Sequence, residues 1–169
     1  MDFELTDDQR TLRDTARKFA RGEMSAIAEA CEKKNEPPPR SYKHRLGEMG
    51  FLGINTPVAY GGLGLGNLEA ILVLEELAKV HPAAAFPMFE ACVGPIKAVE
   101  RFGTESLKKR LLPQVVKGDA VVAIAMSEPE AGSALTDLKT RAEIKGDRII
   151  LDGAKRWTTG GGSADGYVV

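Results

Sequence analysis

Apolar residues recur at helical spacing over the first two thirds of the chain. Thr6-Asp7-Asp8-Gln9 is a capping box, in which a hydroxyl and a glutamine side chain satisfy the first amides of a helix. The same spacing, with Pro and Gly as stops, predicts further helices at 25–34, 41–49, 67–80, 83–101 and 104–117. Asn67 and Thr104 are the predicted caps of two of them. Gly94-Pro95 predicts a kink, and Pro113 should bend or shorten the last helix.

The pattern changes at Gly118. From there, alternating and β-branched residues predict strands at 120–127, 138–145, 148–151, 155–158 and 165–169. Gly146-Asp147 and Asp152-Gly153 have the composition of hairpin turns. The predicted fold class is therefore α+β: an N-terminal all-α helical domain at 1–118, followed by an incomplete antiparallel β domain at 119–169.

A glycine-rich loop separates the third and fourth predicted helices. Phe51 to Gly66 contains Gly-Gly-x-Gly-x-Gly, which has the look of a dinucleotide-binding fingerprint. That fingerprint requires a strand before it and a βαβ unit around it, whereas helices lie on both sides here. The glycines are therefore predicted to serve tight turns.

Composition limits the possible partners. The 169 residues are 43% hydrophobic with a net charge of −1, which is typical of a globular protein and argues against nucleic-acid and anionic-membrane partners. No apolar run approaches the roughly 18 residues of a membrane helix. The acidic start at Met1 to Glu4 resembles neither a signal nor a transit peptide, so a cytoplasmic location is predicted. Cys31 and Cys92 lack metal-ligand spacing and are expected to be reduced, buried thiols, and no metal site is predicted.

Two motifs carry the candidate chemistry. An apolar run ends in a turn at Ile124 to Ser133, reading I-A-M-S-E-P-E-A-G-S, where Pro129 cannot donate to a strand ladder and Gly132 allows close backbone approach. Arg156 to Gly162, R-W-T-T-G-G-G, adds an indole and two hydroxyls. Together the motifs could hold a planar, acceptor-rich ring. On the residues alone, a simple turn and a core tryptophan are the commoner explanation.

These motifs resemble the acyl-CoA dehydrogenase family. There the pattern is approximately T-E-P-x-x-G-S, followed by L-N-G-x-K-x-W-I-T-N-G-x-x-A-D, and this chain has S-E-P-E-A-G-S and L-D-G-A-K-R-W-T-T-G-G-G-S-A-D at matching spacing. L-T-D-D-Q-R, Y-G-G-L-G-L and R-F-G-T-E-S-L-K-K-R-L-L-P also resemble that family. The likeness runs from about Phe3 to Val169.

The resemblance implies a fold and an activity for the complete protein. In the family this order of domains is followed by the rest of the β domain and a C-terminal four-helix domain, neither of which is among these 169 residues. The implied reaction is FAD-dependent α,β-dehydrogenation of an acyl-CoA thioester, with hydride transfer to flavin N5. The family's catalytic base is a Glu in the C-terminal domain, so no catalytic residue is assigned here. Electron-transfer flavoprotein is the implied electron acceptor, and a homotetramer or dimer is the implied assembly.

Site residues follow from their positions in the matching motifs. The resemblance implies that the cofactor is bound by Ile124, Ala125, Met126, Ser127, Gly132, Ser133, Trp157, Thr158 and Thr159. Ser133 is also expected to contact the thioester arm of the substrate. Ala83 to Cys92 would lie along the acyl chain, and Glu90 in that segment is assigned to substrate binding as a polar end of the pocket. A solvent-exposed rim is the commoner place for a glutamate.

Several positions depart from the family pattern. Ile124 stands where an aromatic residue is common, Glu130 and Ala134 replace a small residue and an Asp, and Thr158 and Gly160 replace an apolar residue and an Asn. These changes leave the backbone donors and paired hydroxyls in place. They do not indicate which oxidant takes electrons from the reduced flavin.

The remaining titratable residues are expected to have structural roles. Glu75 and Glu76 are predicted to be solvated or paired on a helix face. Glu128 is assigned to the turn, while His44 and His81 are interpreted as isolated, structural or exposed side chains.

Two alternatives stay open at this point. The chain could be a non-catalytic partner subunit of a heteromeric dehydrogenase, or it could use the same fold for a flavin oxidase or monooxygenase.

An isolated 1–169 segment is predicted not to oxidise acyl-CoA, because the implied base lies outside it. The measurement is dye reduction by the purified segment with an acyl-CoA. Turnover above the rate without protein would contradict the assignment of the base to another part of the polypeptide.

Overall fold

The computed structural model describes residues 4–169. Phe3, where the resemblance begins, and the acidic start at Met1 and Asp2 lie outside the described residues. The helices are α1 (Asp7–Phe19), α2 (Ser25–Lys34), α3 (Arg40–Glu48), α4 (Asn67–Ala78), α5 (Pro82–Cys92), α6 (Ile96–Phe102) and α7 (Glu105–Lys117). The strands are β1 (Val122–Ile124), β2 (Arg141–Lys145), β3 (Arg148–Asp152) and β4 (Gly166–Val168). Helices followed by a small β region confirm the predicted fold class.

The first two helices form one continuous helical segment. The capping box is present, with Thr6 Oγ1 accepting from the Gln9 amide at 3.2 Å and Gln9 Oε1 accepting from the Thr6 amide at 3.0 Å. A π-helical turn at Ala20–Met24 then joins α1 to α2 without a break. The wider turn keeps Ala20 and Met24 in the core along with Phe19.

Proline acts differently in two of the predicted helices. The segment predicted as one kinked helix is divided into α5 and α6, because Gly94-Pro95 interrupts it and the Gly94 amide donates to Phe89 O. In contrast, α7 continues through Pro113 to Lys117, so the predicted shortening is wrong. The predicted cap at Asn67 is also shifted by one residue, because α4 is capped at Gly66, whose amide donates to Glu69 at 3.0 Å.

The helices enclose one apolar core. Phe19 packs edge-to-face on Phe51 with ring centroids 5.7 Å apart. Tyr42 in α3 is buried beside them, and its hydroxyl donates to Ala84 O in α5 at 2.8 Å. The glycine-rich loop turns tightly as predicted, since a Cβ atom at Gly62 would collide with the backbone of Thr56. In residues 4–169, no helix is long and apolar enough to cross a membrane.

The strands form two separate pairs. β2 and β3 pair antiparallel as a hairpin around Gly146-Asp147, as predicted. β1 and β4, however, are parallel, with Val122 opposite Gly166. The prediction of antiparallel pairing was therefore wrong for this pair. The segment between β1 and β4 contains the turns that reverse the chain twice.

Three predicted strands are shorter than expected and one does not form. The 138–145 strand begins only at Arg141, because the Lys139 and Thr140 amides donate to the Glu128 carboxylate instead of a neighbouring strand. Residues 120–127 form a strand only at β1, with flanking hydrogen bonds that join Val121 and Ala125 to residues 165–168, and the predicted 165–169 strand is limited to β4. The predicted strand at 155–158 is not extended, because Trp157 has a φ of 59°.

Asp165 joins the helical part to the strands. Its carboxylate receives both Arg40 guanidinium nitrogens, at 2.9 and 3.0 Å, and the Val121 amide at 2.8 Å. The hydrogen bond from Arg40 is the main cause that holds the pKa of Asp165 below its ordinary value. A bidentate ion pair fixes the orientation of its partners as well as their distance. The start of β4 is therefore held beside β1.

Other polar residues are paired more fully than the sequence indicated. His44 contacts Asp119 at 3.2 Å, and His81 contacts Glu32 at 2.6 Å, so neither histidine is isolated. Cys92 is buried, but Cys31 is only half-buried, which corrects that expectation.

Glu76 is a buried carboxylate in helix α4. It accepts from Arg17 Nε and Nη2 at 3.0 and 3.1 Å and from Lys79 Nζ at 2.9 Å. These partners, Arg17 foremost, hold its pKa at about 2, below the ordinary 4.5. The stabilisation is therefore present above pH 4.5 and is lost as the pH falls toward 2.

We expect Glu76→Ala to lower the free energy of unfolding at pH 7 by about 2 kcal/mol, since it leaves Arg17 without its charged acceptor. Glu75→Ala is the matched control, because Glu75 is exposed and shares only Lys79; its effect should be about 0.5 kcal/mol or less. Denaturant titrations at pH 7 and pH 3 measure both, and the Glu76 effect should shrink at pH 3. Equal effects of the two variants would contradict a structural role for the buried pair.

Candidate functional site

A cavity of about 140 Å³ lies between α5 and the two motif loops. It is lined by Phe86, Phe89, Glu90, Ile124, Met126, Ser127, Trp157 and Thr159. Both motifs singled out from the sequence therefore contribute to one wall, together with the helix expected to lie along the acyl chain.

The end of β1 places the first motif. The Ala125 amide donates to Val168 O at 2.8 Å, which extends the pairing with β4 by one residue. Because side chains alternate along an extended chain, Ala125 is buried while Ile124 and Met126 turn to the cavity with 39% and 42% of their surfaces exposed. Ala125 supports the wall from behind and does not line it.

The second motif is held against the first by hydrogen bonds. The Arg156 amide donates to Ser127 O at 2.9 Å, and Lys155 Nζ donates to Met126 O at 3.1 Å. The Arg156 guanidinium lies 4.4 Å from the centre of the Trp157 ring, a distance typical of a cation–π contact. Trp157 is 80% exposed, so Arg156 covers one of its faces. Sequence reasoning missed Arg156, whose only signal was its position next to the indole.

Glu128 organises the turn within the first motif. Its carboxylate accepts from the Lys139 amide at 2.6 Å, the Thr140 amide at 2.9 Å and Lys155 Nζ at 2.8 Å. These donors, the Lys139 amide first, hold the pKa of Glu128 at about 2. The carboxylate is therefore ionised at neutral pH and joins three chain segments, in agreement with its assignment to the turn.

Three predicted cofactor-binding residues, Gly132, Ser133 and Thr158, lie apart from this wall. Gly132 and Ser133 are exposed on the loop, where Ser133 O accepts from the Leu135 amide, and within the described part of the chain neither lines the cavity. Thr158 is half-buried, and its carbonyl accepts from the Gly161 amide. Thr159 lines both this cavity and an adjoining groove of about 670 Å³ between α2 and α5.

The chain matches two consecutive parts of a single family. Residues 6–119 match the family described as "Acyl-CoA dehydrogenase, N-terminal domain", and residues 123–169 match "Acyl-CoA dehydrogenase, middle domain". The chain belongs to the acyl-CoA dehydrogenase family. The resemblance inferred from the motifs is thereby confirmed.

Individual family members show how much of the protein is present. Isovaleryl-CoA dehydrogenase, mitochondrial, from Bos taurus is 40% identical over 166 residues, which cover 98% of this chain and 39% of that protein. The 3-sulfinopropanoyl-CoA desulfinase of Paraburkholderia xenovorans is 41% identical over 162 residues, which cover 95% of this chain and 41% of that protein. The crystal structure of glutaryl-CoA dehydrogenase from Mycobacterium smegmatis matches with a TM-score of 0.90 and 29% identity. The match covers 98% of this chain and 42% of that structure's chain. The chain spans about two fifths of the length of these curated relatives.

The wall of this acyl-CoA dehydrogenase family member fits one side of a flavin ring. Ile124, Met126 and Trp157 offer exposed apolar surface to a flat molecule. Within residues 4–169, the hydroxyls of Ser127 and Thr159 have no hydrogen-bond partner and are free for the polar edge of a ring. The cavity of about 140 Å³ is smaller than the roughly 300–1,000 Å³ of a typical ligand pocket, and it adjoins the larger groove between α2 and α5.

Among the described residues that line this wall, Glu90 is the one with a carboxylate side chain. Only 8% of its surface is exposed, so the solvent-exposed rim position is wrong. Burial raises its pKa to about 7, and Lys43 opposes that rise. Among the described residues, no cluster of three or more His, Cys, Asp or Glu side chains could hold a metal ion.

We expect Glu128→Gln to loosen the turn, because an amide cannot accept three hydrogen bonds as a carboxylate does. Hydrogen exchange at the Lys139 and Thr140 amides should accelerate roughly tenfold or more. Glu130→Gln is the matched control, since Glu130 is exposed in the same turn and contacts only the Lys139 side chain. Unchanged exchange in Glu128→Gln would contradict the organising role of this carboxylate.

Proposed function

We propose that this chain is the N-terminal portion of a flavin-dependent acyl-CoA dehydrogenase that removes the α and β hydrogens of an acyl-CoA thioester. The supporting observation is the single wall to which both family motifs and helix α5 contribute. In this proposal, residues 1–118 are the helical domain and residues 119–169 begin the flavin-binding β domain. The catalytic base lies in the part of the polypeptide beyond these 169 residues.

The proposed roles of the chain's own residues follow from their positions. Trp157, Ile124 and Met126 pack on the ring and exclude water from that face. The hydroxyls of Ser127 and Thr159 donate to its polar edge, where charge develops during reduction. When bound, FAD supplies the acceptor for the β hydrogen.

The less direct assignments rest on the family resemblance. Ala125, Thr158, Gly132 and Ser133 are proposed to bind the cofactor through backbone groups and hydroxyls, with Ser133 also meeting the thioester arm. Electron-transfer flavoprotein is the proposed electron acceptor, and the complete protein is proposed to be a dimer or tetramer. A cytoplasmic location stays a prediction.

A second acyl-CoA reaction is favoured by one comparison. The desulfinase relative is as similar to this chain as the isovaleryl-CoA dehydrogenase relative, at 41% against 40% identity. The second candidate is therefore processing of an acyl-CoA that carries a sulfinate group. The two candidates differ in whether the flavin is reduced by the substrate.

The test is the visible spectrum of the complete polypeptide that carries these residues. We expect a bound flavin whose absorption is bleached under anaerobic conditions by an acyl-CoA substrate. A protein without flavin, or a flavin that no acyl-CoA bleaches, would contradict the dehydrogenase. Release of sulfite from 3-sulfinopropanoyl-CoA without bleaching would support the second candidate.

Thr159→Val should slow flavin reduction about tenfold, because it removes one hydroxyl from the cavity wall. Thr136→Val is the matched control, since Thr136 lies in an exposed turn and donates only to Asp137. Stopped-flow absorption measures both rates. Equal rates for the two variants would remove Thr159 from the proposed site.

A further inference from the structure

Glu90 is an exception among the buried carboxylates. The described residues include three of them: Glu76, Glu90 and Glu128. Glu76 is paired with Arg17, and Glu128 receives two amides and an ammonium group. Within residues 4–169, the Glu90 carboxylate receives no hydrogen bond from any residue. Burying a polar group without a partner is unfavourable, so this carboxylate is expected to have a partner that is not among these residues.

The surroundings of Glu90 show from which side that partner comes. On one side is a small cavity whose lining includes Lys43, and no ion pair between Lys43 and Glu90 is present in the part of the chain that the structure describes. On the other side is the 140 Å³ cavity, where Phe86 and Phe89 form apolar walls. Its volume leaves room for a ligand group, whereas the cavity beside Lys43 has about 10 Å³.

Gly160 keeps the approach to Glu90 open. Its φ is 77°, and a Cβ atom built there would lie 3.5 Å from Glu90 Oε1. A side chain at this position would therefore extend over the carboxylate, whereas the glycine leaves it accessible. The raised pKa of Glu90 agrees with this picture, because burial without a donor disfavours the charged form.

We propose that Glu90 accepts a hydrogen bond from a hydroxyl or amino group on the acyl part of the substrate. The proposal rests on the proposed function and names a substrate class for it: acyl-CoAs that carry a hydrogen-bond donor, in preference to plain hydrocarbon chains. A hydrocarbon chain would leave the carboxyl group of Glu90 unpaired, and an acyl group ending in a carboxylate would be repelled by the ionised form of Glu90.

The test uses the complete polypeptide with its flavin and three CoA thioethers of equal chain length. The thioethers lack the thioester carbonyl, so they bind without reacting, and they end in a hydroxyl, a methyl or a carboxylate group. Calorimetry gives their dissociation constants. In the unmodified protein, we expect the hydroxyl analogue to bind about tenfold or more tightly than the methyl analogue. The carboxylate analogue should bind most weakly.

Two variants separate recognition from folding. Glu90→Leu should abolish the preference for the hydroxyl over the methyl analogue. Glu90→Gln keeps the size of the side chain and should improve binding of the carboxylate analogue, because an amide can donate to it. Glu75→Gln, on an exposed helix face, is the matched control and should preserve the order of the three ligands.

The outcomes distinguish this inference from the proposed function. If the methyl and hydroxyl analogues bind equally, or if Glu90→Leu preserves their difference, Glu90 is paired with another part of the polypeptide and the inference is wrong. Bleaching of the flavin by an acyl-CoA would still support the dehydrogenase in that case. If no acyl-CoA bleaches the flavin, the proposed function fails first, whatever the thioether results.

Discussion

The contacts of one carboxylate hold the entry of the hairpin and the two motifs together. Glu128 draws the entry of the hairpin, through Lys139 and Thr140, and the second motif, through Lys155, toward the turn that follows β1. An ionised carboxylate that accepts several donors is among the stronger polar contacts available to a protein. This junction adds to the hydrogen bonds that join the two motifs directly. Through these contacts, the backbone of Arg156 reaches Ser127, and an indole comes to lie beside the end of a strand.

A second junction relates that region to the helices. Arg40 and Asp165 bind in bidentate geometry, and Asp165 also receives an amide that precedes β1. These contacts orient the β1–β4 pair against the helical core without the help of a ligand. The cavity lies where these constraints meet, with α5 as one side and the two loops as the other. Its shape is thus set by polar contacts at its edges, since the loops themselves contribute little to the apolar core.

Local sequence signals were sufficient to predict much of the fold. Where the structure differs from the prediction, contacts between residues distant in the sequence are the cause. The start of α1 depends on Thr6 and Gln9, and the end of α7 depends on Gly118. Each signal involves only a few neighbouring residues, so the sequence predicts both helix ends. The start of β2 depends on Glu128, which lies eleven residues before Lys139 and competes for its amide. In the same way, the motifs indicated Trp157 and Ser127, but the burial of Glu90 and the contact of Arg156 with the indole depend on tertiary packing.

Trp157 is the only tryptophan among the 169 residues, and it lies on the cavity wall with most of its ring in solvent. Indole emission changes with polarity and is quenched by a nearby chromophore. The indole fluorescence of this segment, which excitation at the long-wavelength edge of indole absorption separates from that of its three tyrosines, therefore arises at the cavity wall. A ligand that covers the exposed face of this indole would change the wavelength and intensity of the emission, so the segment carries its own optical reporter.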